Sequence, residues 1–281
     1  MKRRDREEEA RKGAKMEFEF GFIGLGNMAS AMIGGALKKG LIDAGRICGS
    51  AKTERSRKKA EEAYGIQTFA DNRQVAQRAQ IIVLAVKPQF FEEVLEELKD
   101  MDWSNKTLVS LAPGKTIGWL CGHTKADVPV IRCMPNTPAL VGEGCTGVCM
   151  GQGVTKEAAE RVLRLLESFG RAVEVPERLM DVVVGVSGSS PAYVFMFIEA
   201  MADAAVAEGM PRAQAYELAA QAVLGSAKMV LETGMHPGAL KDMVCSPGGT
   251  TIQAVKVLEE KNFRGTVMDA VTACIEKSRT M

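Results

Sequence analysis

The run Phe20-Gly21-Phe22-Ile23 ends in Gly24-Leu25-Gly26-Asn27-Met28-Ala29, and a helix-forming stretch begins at once. A strand that turns straight into a helix through this glycine spacing admits few folds. Gly24 permits the tight turn, and Gly26 lets backbone approach a pyrophosphate. Ala29, a small alternative to a third glycine, lets the helix pack closely on the strand. The free N–H groups at the helix start then form a phosphate seat. Any glycine-rich turn can imitate this pattern, but here a strand precedes it and a helix follows, as dinucleotide binding requires.

The surrounding rhythm agrees. Residues 17–24, 46–50, 66–69, 81–86 and 107–112 read as strands, with amphipathic segments between them; Phe91, Val94, Leu95 and Leu98 recur at helical spacing. Strand and helix alternating in this way predict a parallel sheet with right-handed crossovers. Segments 129–134, 146–150 and 171–175 extend it to about Val175. After Pro176 everything reads as helix. Gly209 and Gly234 fall where helices should stop, and Pro191, Pro211 and Pro237 where they should start. The segment 191–209 is apolar around most of its circumference, which predicts a subunit interface. The expected class is α/β: an N-terminal Rossmann-type parallel-sheet domain over 16–176, followed by an all-helical dimerisation domain over 177–281.

Residues 1–15 carry seven basic and four acidic side chains and no apolar stretch, so they read as a charged, disordered leader rather than a signal or transit peptide. The body keeps 29 basic against 31 acidic residues, a balance that favours neither nucleic acid nor an anionic membrane. No uninterrupted apolar run approaches the ~18–20 residues of a membrane span. Seven cysteines without a C-x-x-C pair and two distant histidines predict no metal and a reducing, cytoplasmic setting.

The end of the second strand bears on the cofactor. An NAD site places an acid there for the ribose 2′-hydroxyl. This chain offers the hydroxyls of Ser50 and Thr53 and the cations Lys52, Arg55 and Arg57, with Glu54 the sole nearby acid. Phosphate suits these better, so NADPH is expected over NADH, with NADH still usable. Lys58 and Lys59 read as a solvated helix face. Two further loops, 85–89 and 111–115, leave strands at the carboxyl ends where ligands bind.

A third glycine-bearing break, Ser246-Pro247-Gly248-Gly249-Thr250-Thr251, precedes an apolar-periodic helix. The residues alone fit an ordinary glycine-bearing helix cap or an anion seat made of free amides.

Together with 132–144 (RCMPNTPALVGEG), 187–193 (SGSSPAY) and 236–251 (HPGALKDMVCSPGGTT), these loops make the chain resemble the pyrroline-5-carboxylate reductases, from about Phe20 onward. The resemblance implies reduction of a five-membered cyclic imine carboxylate to L-proline with NAD(P)H. It also implies a homodimer, in some members a pentamer of dimers, and an active site shared with a partner's helical domain. Ile23, Gly24, Leu25, Gly26, Asn27 and Met28 should then lie on the pyrophosphate. Asn72, Ala85, Val86, Lys87 and Pro88 should lie near the adenosine and ribose, and Leu111, Ala112, Pro113 and Asn136 near the nicotinamide. With the resemblance, the anion seat is favoured: Ser246, Gly248, Gly249, Thr250 and Thr251 should hold the substrate carboxylate. No His, Cys or carboxylate in these motifs looks like a dedicated acid. A hydroxyl can relay the proton, Thr251 first, with Thr250 or water behind it. One departure is visible, Ser190 where the family usually has Gly.

Two rivals stand beside this reading. A β-hydroxyacid dehydrogenase would need a lysine near the start of the helical domain, and 187–200 contains none. A non-catalytic NADPH-binding sensor would have no use for a substrate seat. His236 reads as a cap or packing residue, His123 has no assigned role, and Arg132 reads as a buried ion-pair partner.

Overall fold

A computed structural model of the chain describes residues 16–124 and 127–280. The leader over 1–15 lies outside the described residues. Eight strands form one sheet: β1 (Phe18–Ile23), β2 (Ile47–Ser50), β3 (Gln67–Phe69), β4 (Ala79–Leu84), β5 (Thr107–Ser110), β6 (Val130–Met134), β7 (Gly144–Met150) and β8 (Gly170–Glu174). Between them run α1 (Asn27–Lys38), α2 (Glu54–Tyr64), α3 (Asn72–Arg78), α4 (Phe91–Glu97), α5 (Ile117–Thr124) and α6 (Lys156–Glu167).

The spatial order is β3-β2-β1-β4-β5-β6-β7-β8. It reverses between β1 and β4, the switch point at which open α/β sheets bind ligands. Ile23 stands level with Ser50 on one side and Leu84 on the other, so the turns after β1, β2 and β4 leave the same edge together. The expectation of a parallel sheet needs one correction, because β7 runs antiparallel to β6. The short 3-10 turn Thr137–Val141 joins them, too little chain for a crossover helix. The fourth strand also starts and ends earlier than expected, placing Ala85 and Val86 in the loop.

Both sheet faces are covered. Phe20, Phe22, Ile81, Val83, Val109 and Ile131 pack to one side, with Met32 and Ile33 of α1 and Leu166 of α6. Ile82, Leu84, Leu108 and Val130 pack to the other, with Phe91 and Leu95 of α4 and Leu120 of α5. Alternate residues of each strand thus serve opposite layers.

The chain divides into two compact units, one reaching Gly188 and taking in the residues from Ile275 onward, the other Ser189–Cys274. Between Pro176 and that division lie α7 (Met180–Val183) and a π-helical turn (Val184–Gly188). They stay with the sheet: a Cβ on Gly147 of β7 would come within 2.6 Å of Val183.

The second unit holds α8 (Ser190–Ala207), α9 (Arg212–Thr233), α10 (Pro237–Val244), α11 (Thr250–Glu260) and most of α12 (Phe263–Arg279). Pro191 sits in the first turn of α8, Pro211 caps α9 and Pro237 opens α10. Gly209 and Gly234, after α8 and α9, adopt φ of 94° and 63°, open to glycine at little cost. In α8 and α9 only Ala202, Ala215 and Ala219 are buried. Phe195 and Met196, by contrast, are 61% and 69% exposed. An apolar surface of this extent on a folded unit calls for a covering partner. The stretch Glu177–Ala207 is also long and apolar enough to cross a membrane by length and composition alone, a weak criterion met by helices that bury themselves elsewhere.

Candidate cofactor and substrate sites

The turn after β1 is shaped by two glycines with different tasks. Gly24 holds φ of +97°, and a Cβ there would stand 2.9 Å from the backbone carbon and oxygen of Ala85. Its N–H donates to the Ser50 carbonyl at 3.0 Å, while the Ala85 N–H donates to Ile23 at 2.8 Å, locking three strand ends together. Gly26 is the N-cap of α1, in extended backbone with no side-chain cap, and a Cβ on it would meet nothing within 4 Å. Open space beside uncapped amides is the cradle a pyrophosphate needs, so the residues fit a dinucleotide. Gly26 and Asn27 are exposed, Leu25 and Met28 half-buried, and Ala29, within α1, is fully buried in the core.

The side chains around the end of β2 divide into committed and free. Ser50 is fully buried and donates its hydroxyl to Asn72 Oδ1 at 2.7 Å. Asn72 Nδ2 in turn donates to Glu97 Oε2 at 2.7 Å. A carboxylate only accepts, so this chain fixes the direction of each bond in it. Lys52 pairs with Glu93 at 2.8 Å and lies 4.9 Å from the centre of the Phe90 ring. Arg57 clamps the loop by donating to the Ala51 carbonyl at 2.7 Å, and Thr53 caps α2 through the Ser56 amide. Arg55 is exposed, and among the described residues no partner is assigned to it. Glu93 and Glu97 were invisible to sequence reasoning, since acids on an amphipathic helix look like a solvated face.

Ala85, Val86, Lys87 and Pro88 form the loop after β4, with Pro88 opening a short 3-10 turn; only Lys87 of the four is fully exposed. Leu111, Ala112 and Pro113 follow β5, and the Leu111 N–H donates to the Leu84 carbonyl at 3.3 Å. These loops therefore share the edge that carries Gly24. Asn136 is buried with both ends of its amide engaged: Nδ2 donates to the Ser187 carbonyl at 3.0 Å and Oδ1 accepts from the Cys145 amide at 2.8 Å. It ties its loop to β7 and to the π-helical turn.

In the helical unit, Gly248 has φ of +70°, and the Gly249 N–H turns back to the Ser246 carbonyl at 3.0 Å. That amide is thus spent within the loop. Gly249 caps α11 in extended backbone with no side-chain bond, which leaves the first-turn amides, beginning with Thr250 and Thr251, to whatever lies outside. Ser246, Gly248 and Thr250 are exposed; Gly249 and Thr251 are half-buried. His236 caps α10, accepting from the Gly238 amide at 3.0 Å. Ser190 is the first residue of α8.

Groups away from these loops have structural tasks. Arg132, almost fully buried, pairs with Glu177 at 2.9 Å, and the same carboxylate oxygen accepts the Ile117 amide at 2.7 Å. Burial pushes the Cys48 thiol up to about 12 and raises Cys133 as well, which makes both inert at neutral pH. A cavity of about 770 Å³ lies at the opposite edge of the sheet, bounded by Trp103, Lys106, Asp127 and Arg161. It touches none of the loops that leave the carboxyl ends of β1, β2 and β4.

Comparison with known proteins bears on both units. The family model described as pyrroline-5-carboxylate reductase dimerisation matches residues 177–281, and the one described as NADP oxidoreductase, coenzyme F420-dependent, matches residues 19–114. The pyrroline-5-carboxylate reductase of Escherichia coli (strain K12) is 52% identical over 266 residues, covering 95% of this chain and 99% of its own. A solved pyrroline-5-carboxylate reductase from Coxiella burnetii superposes with a TM-score of 0.87 at 36% identity, covering 95% of this chain and 98% of its own. The pyrroline carboxylate reductase of Plasmodium falciparum, solved with NADP bound, gives 0.84 at 33% identity, covering 95% and 99%.

Proposed function

This chain belongs to the pyrroline-5-carboxylate reductase family, and from that premise we propose how its residues reduce 1-pyrroline-5-carboxylate to L-proline with NAD(P)H, the last step of proline biosynthesis. The cofactor domain is taken as residues 16–176 and the dimerisation and substrate domain as 177–281. When bound, the nicotinamide supplies the hydride for the C=N carbon. The protein's part is to position and polarise. Gly24 and Gly26 shape the pyrophosphate turn, Leu25, Asn27 and Met28 line it, and the loops at Ala85 to Pro88 and Leu111 to Pro113 flank it. Asn136 acts by holding its loop in place. Arg55 meets the 2′-phosphate while Lys52 is held on Glu93, so NADPH is preferred.

The substrate carboxylate sits on the uncapped start of α11, where the Thr250 and Thr251 amides and the positive end of the helix replace an arginine. That uncapped start is the observation carrying the substrate assignment. Gly248 provides the turn, and the bond between Gly249 and Ser246 braces it. Thr251 relays a proton from solvent to the ring nitrogen as hydride reaches the carbon; the product amine is basic, so a weak acid suffices. The exposed apolar sides of α8 and α9 pair with another copy, so the working form is a homo-oligomer, as large as a pentamer of dimers, in the cytoplasm and free of membrane and nucleic acid. The helical domain of one copy brings its carboxylate seat to the cofactor domain of another.

Following NADPH absorbance with added pyrroline-5-carboxylate tests the activity. Folded protein without turnover overturns it. A Thr251→Ala variant should lose kcat by about a hundredfold, the lower bound of general-acid contributions. Near-normal kcat would remove Thr251 from the proton path.

A further inference from the structure

The basic residues at the end of β2, close together in sequence, are divided by the structure. Arg57 and Thr53 are engaged within the loop and the α2 cap. Lys52 is drawn onto α4, with Glu93 as its ion-pair partner and Phe90 beneath it. Glu97, one helical turn beyond Glu93 and therefore on the same face, fastens Asn72 at the start of α3. One face of α4 thus delivers carboxylates to the very residues flanking the end of β2. Arg55 alone of the basic set stands exposed with no assigned partner among the described residues.

We propose that Glu93 is a specificity-determining residue. By holding Lys52 on α4 it keeps that ammonium from the ribose 2′ position, so discrimination in favour of the phosphorylated cofactor is weaker than the basic loop would otherwise give. Glu93 acts through Lys52, as a positioning residue, and it rests on the assignment of the end of β2 to the cofactor's 2′ position. Electrostatics supports the direction. Pairing with Glu93 lowers the charge Lys52 can offer a phosphate. A 2′-hydroxyl, uncharged, loses little by that pairing. Lys52 and Glu93 are 66% and 51% exposed in their side chains, so the expected change is modest.

The probes are 2′,5′-ADP and 5′-AMP, titrated calorimetrically into the full-length protein at low salt, with the ratio of their affinities as readout. A partly unfolded variant loses both signals together, so the ratio reports specificity. Glu93→Gln should raise the preference for 2′,5′-ADP about threefold, within the range of exposed ion pairs. The gain should shrink at high salt. Adding Lys52→Ala to Glu93→Gln should abolish it, and Glu92→Gln, which removes an equal charge from the same helix, should not reproduce it. An unchanged ratio in Glu93→Gln overturns the proposal, as does a gain that survives loss of Lys52 or appears equally in Glu92→Gln. If the unaltered protein prefers 5′-AMP or binds neither probe, the assignment of the end of β2 to the 2′ position fails first, and the proposal falls with it.

Discussion

The helices α1 and α11 begin alike, and unlike α2, α3 and α6. The latter three are closed by side chains: Thr53, Asp71 and Thr155 each accept an amide of the first turn. At α1 and α11 the cap is glycine, in nearly the same backbone conformation (φ −83°, ψ −170° at Gly26; φ −75°, ψ 171° at Gly249), and no side chain reaches the amides. A helix built only for packing gains from a hydroxyl or carboxylate cap. Forgoing it at these two glycine starts leaves their positive ends available to anions; α8 and α9 also lack a side-chain cap, but there a proline lies at or beside the first turn. The starts differ in their surroundings. Gly26 opens a helix whose apolar face is sealed against the sheet, whereas α11 lies among helices that keep much of their apolar surface exposed.

Placing a carboxylate at each start should separate their tasks. Gly26→Asp has the larger expected effect. With nothing within 4 Å of the new Cβ, the fold should tolerate it, but the charge would face the pyrophosphate. Loss of about a hundredfold in NADPH affinity is expected from like charges at close range in a partly shielded site. Calorimetry beside a melting curve checks this, and unchanged affinity would move the pyrophosphate elsewhere. Gly249→Asp should cap α11 and compete with the substrate carboxylate, raising KM for pyrroline-5-carboxylate about tenfold while NADPH affinity holds. A rise in the cofactor Kd instead would reverse the roles assigned to the two starts.

The smallest effect is expected at the far edge of the sheet. Lys106 is buried, donating to the carbonyls of Ala79 (2.9 Å) and Gln77 (3.2 Å), and burial lowers its pKa from 10.5 to about 8. Below about 8 both folded and unfolded chains carry the proton, and the cost of the buried charge is present in full. Between about 8 and 10.5 the unfolded chain holds a proton that the folded chain has released, so this group adds stability as pH rises. Relative to Lys106→Met, the native protein should gain melting temperature across that window, with ligand affinities untouched. A flat difference would show that the ammonium is not desolvated.

Much of this was legible in the sequence because local chemistry dictates it. The turn at Gly24 and Gly26, the helix stops at Gly209 and Gly234, and the starts at Pro191, Pro211 and Pro237 follow from backbone freedom and restriction within a few residues. The direction of β7 was not legible, since alternation along a strand is the same whichever way its neighbour runs, and only the shortness of the 137–141 turn decides it. Nor was the tie between Lys52 and Glu93. Their sequence separation of 41 residues is closed by the sheet register, and neither residue alone differs from an ordinary surface charge. Asn136 shows a third case. Its position in a distinctive motif was plain, but the amide turns inward to Ser187 and Cys145, which only the packing of β7 against the π-helical turn determines.

The bare apolar sides of α8 and α9 have a consequence for how this enzyme answers to its own abundance. If, as proposed, another copy covers that surface, the stability of the helical unit is a matter of mass action. The sheet unit, with both layers closed inside one chain, carries no such debt. Dilution should therefore strip away imine reduction while nucleotide binding persists, and the concentration of the protein becomes one of the variables that set its specific activity.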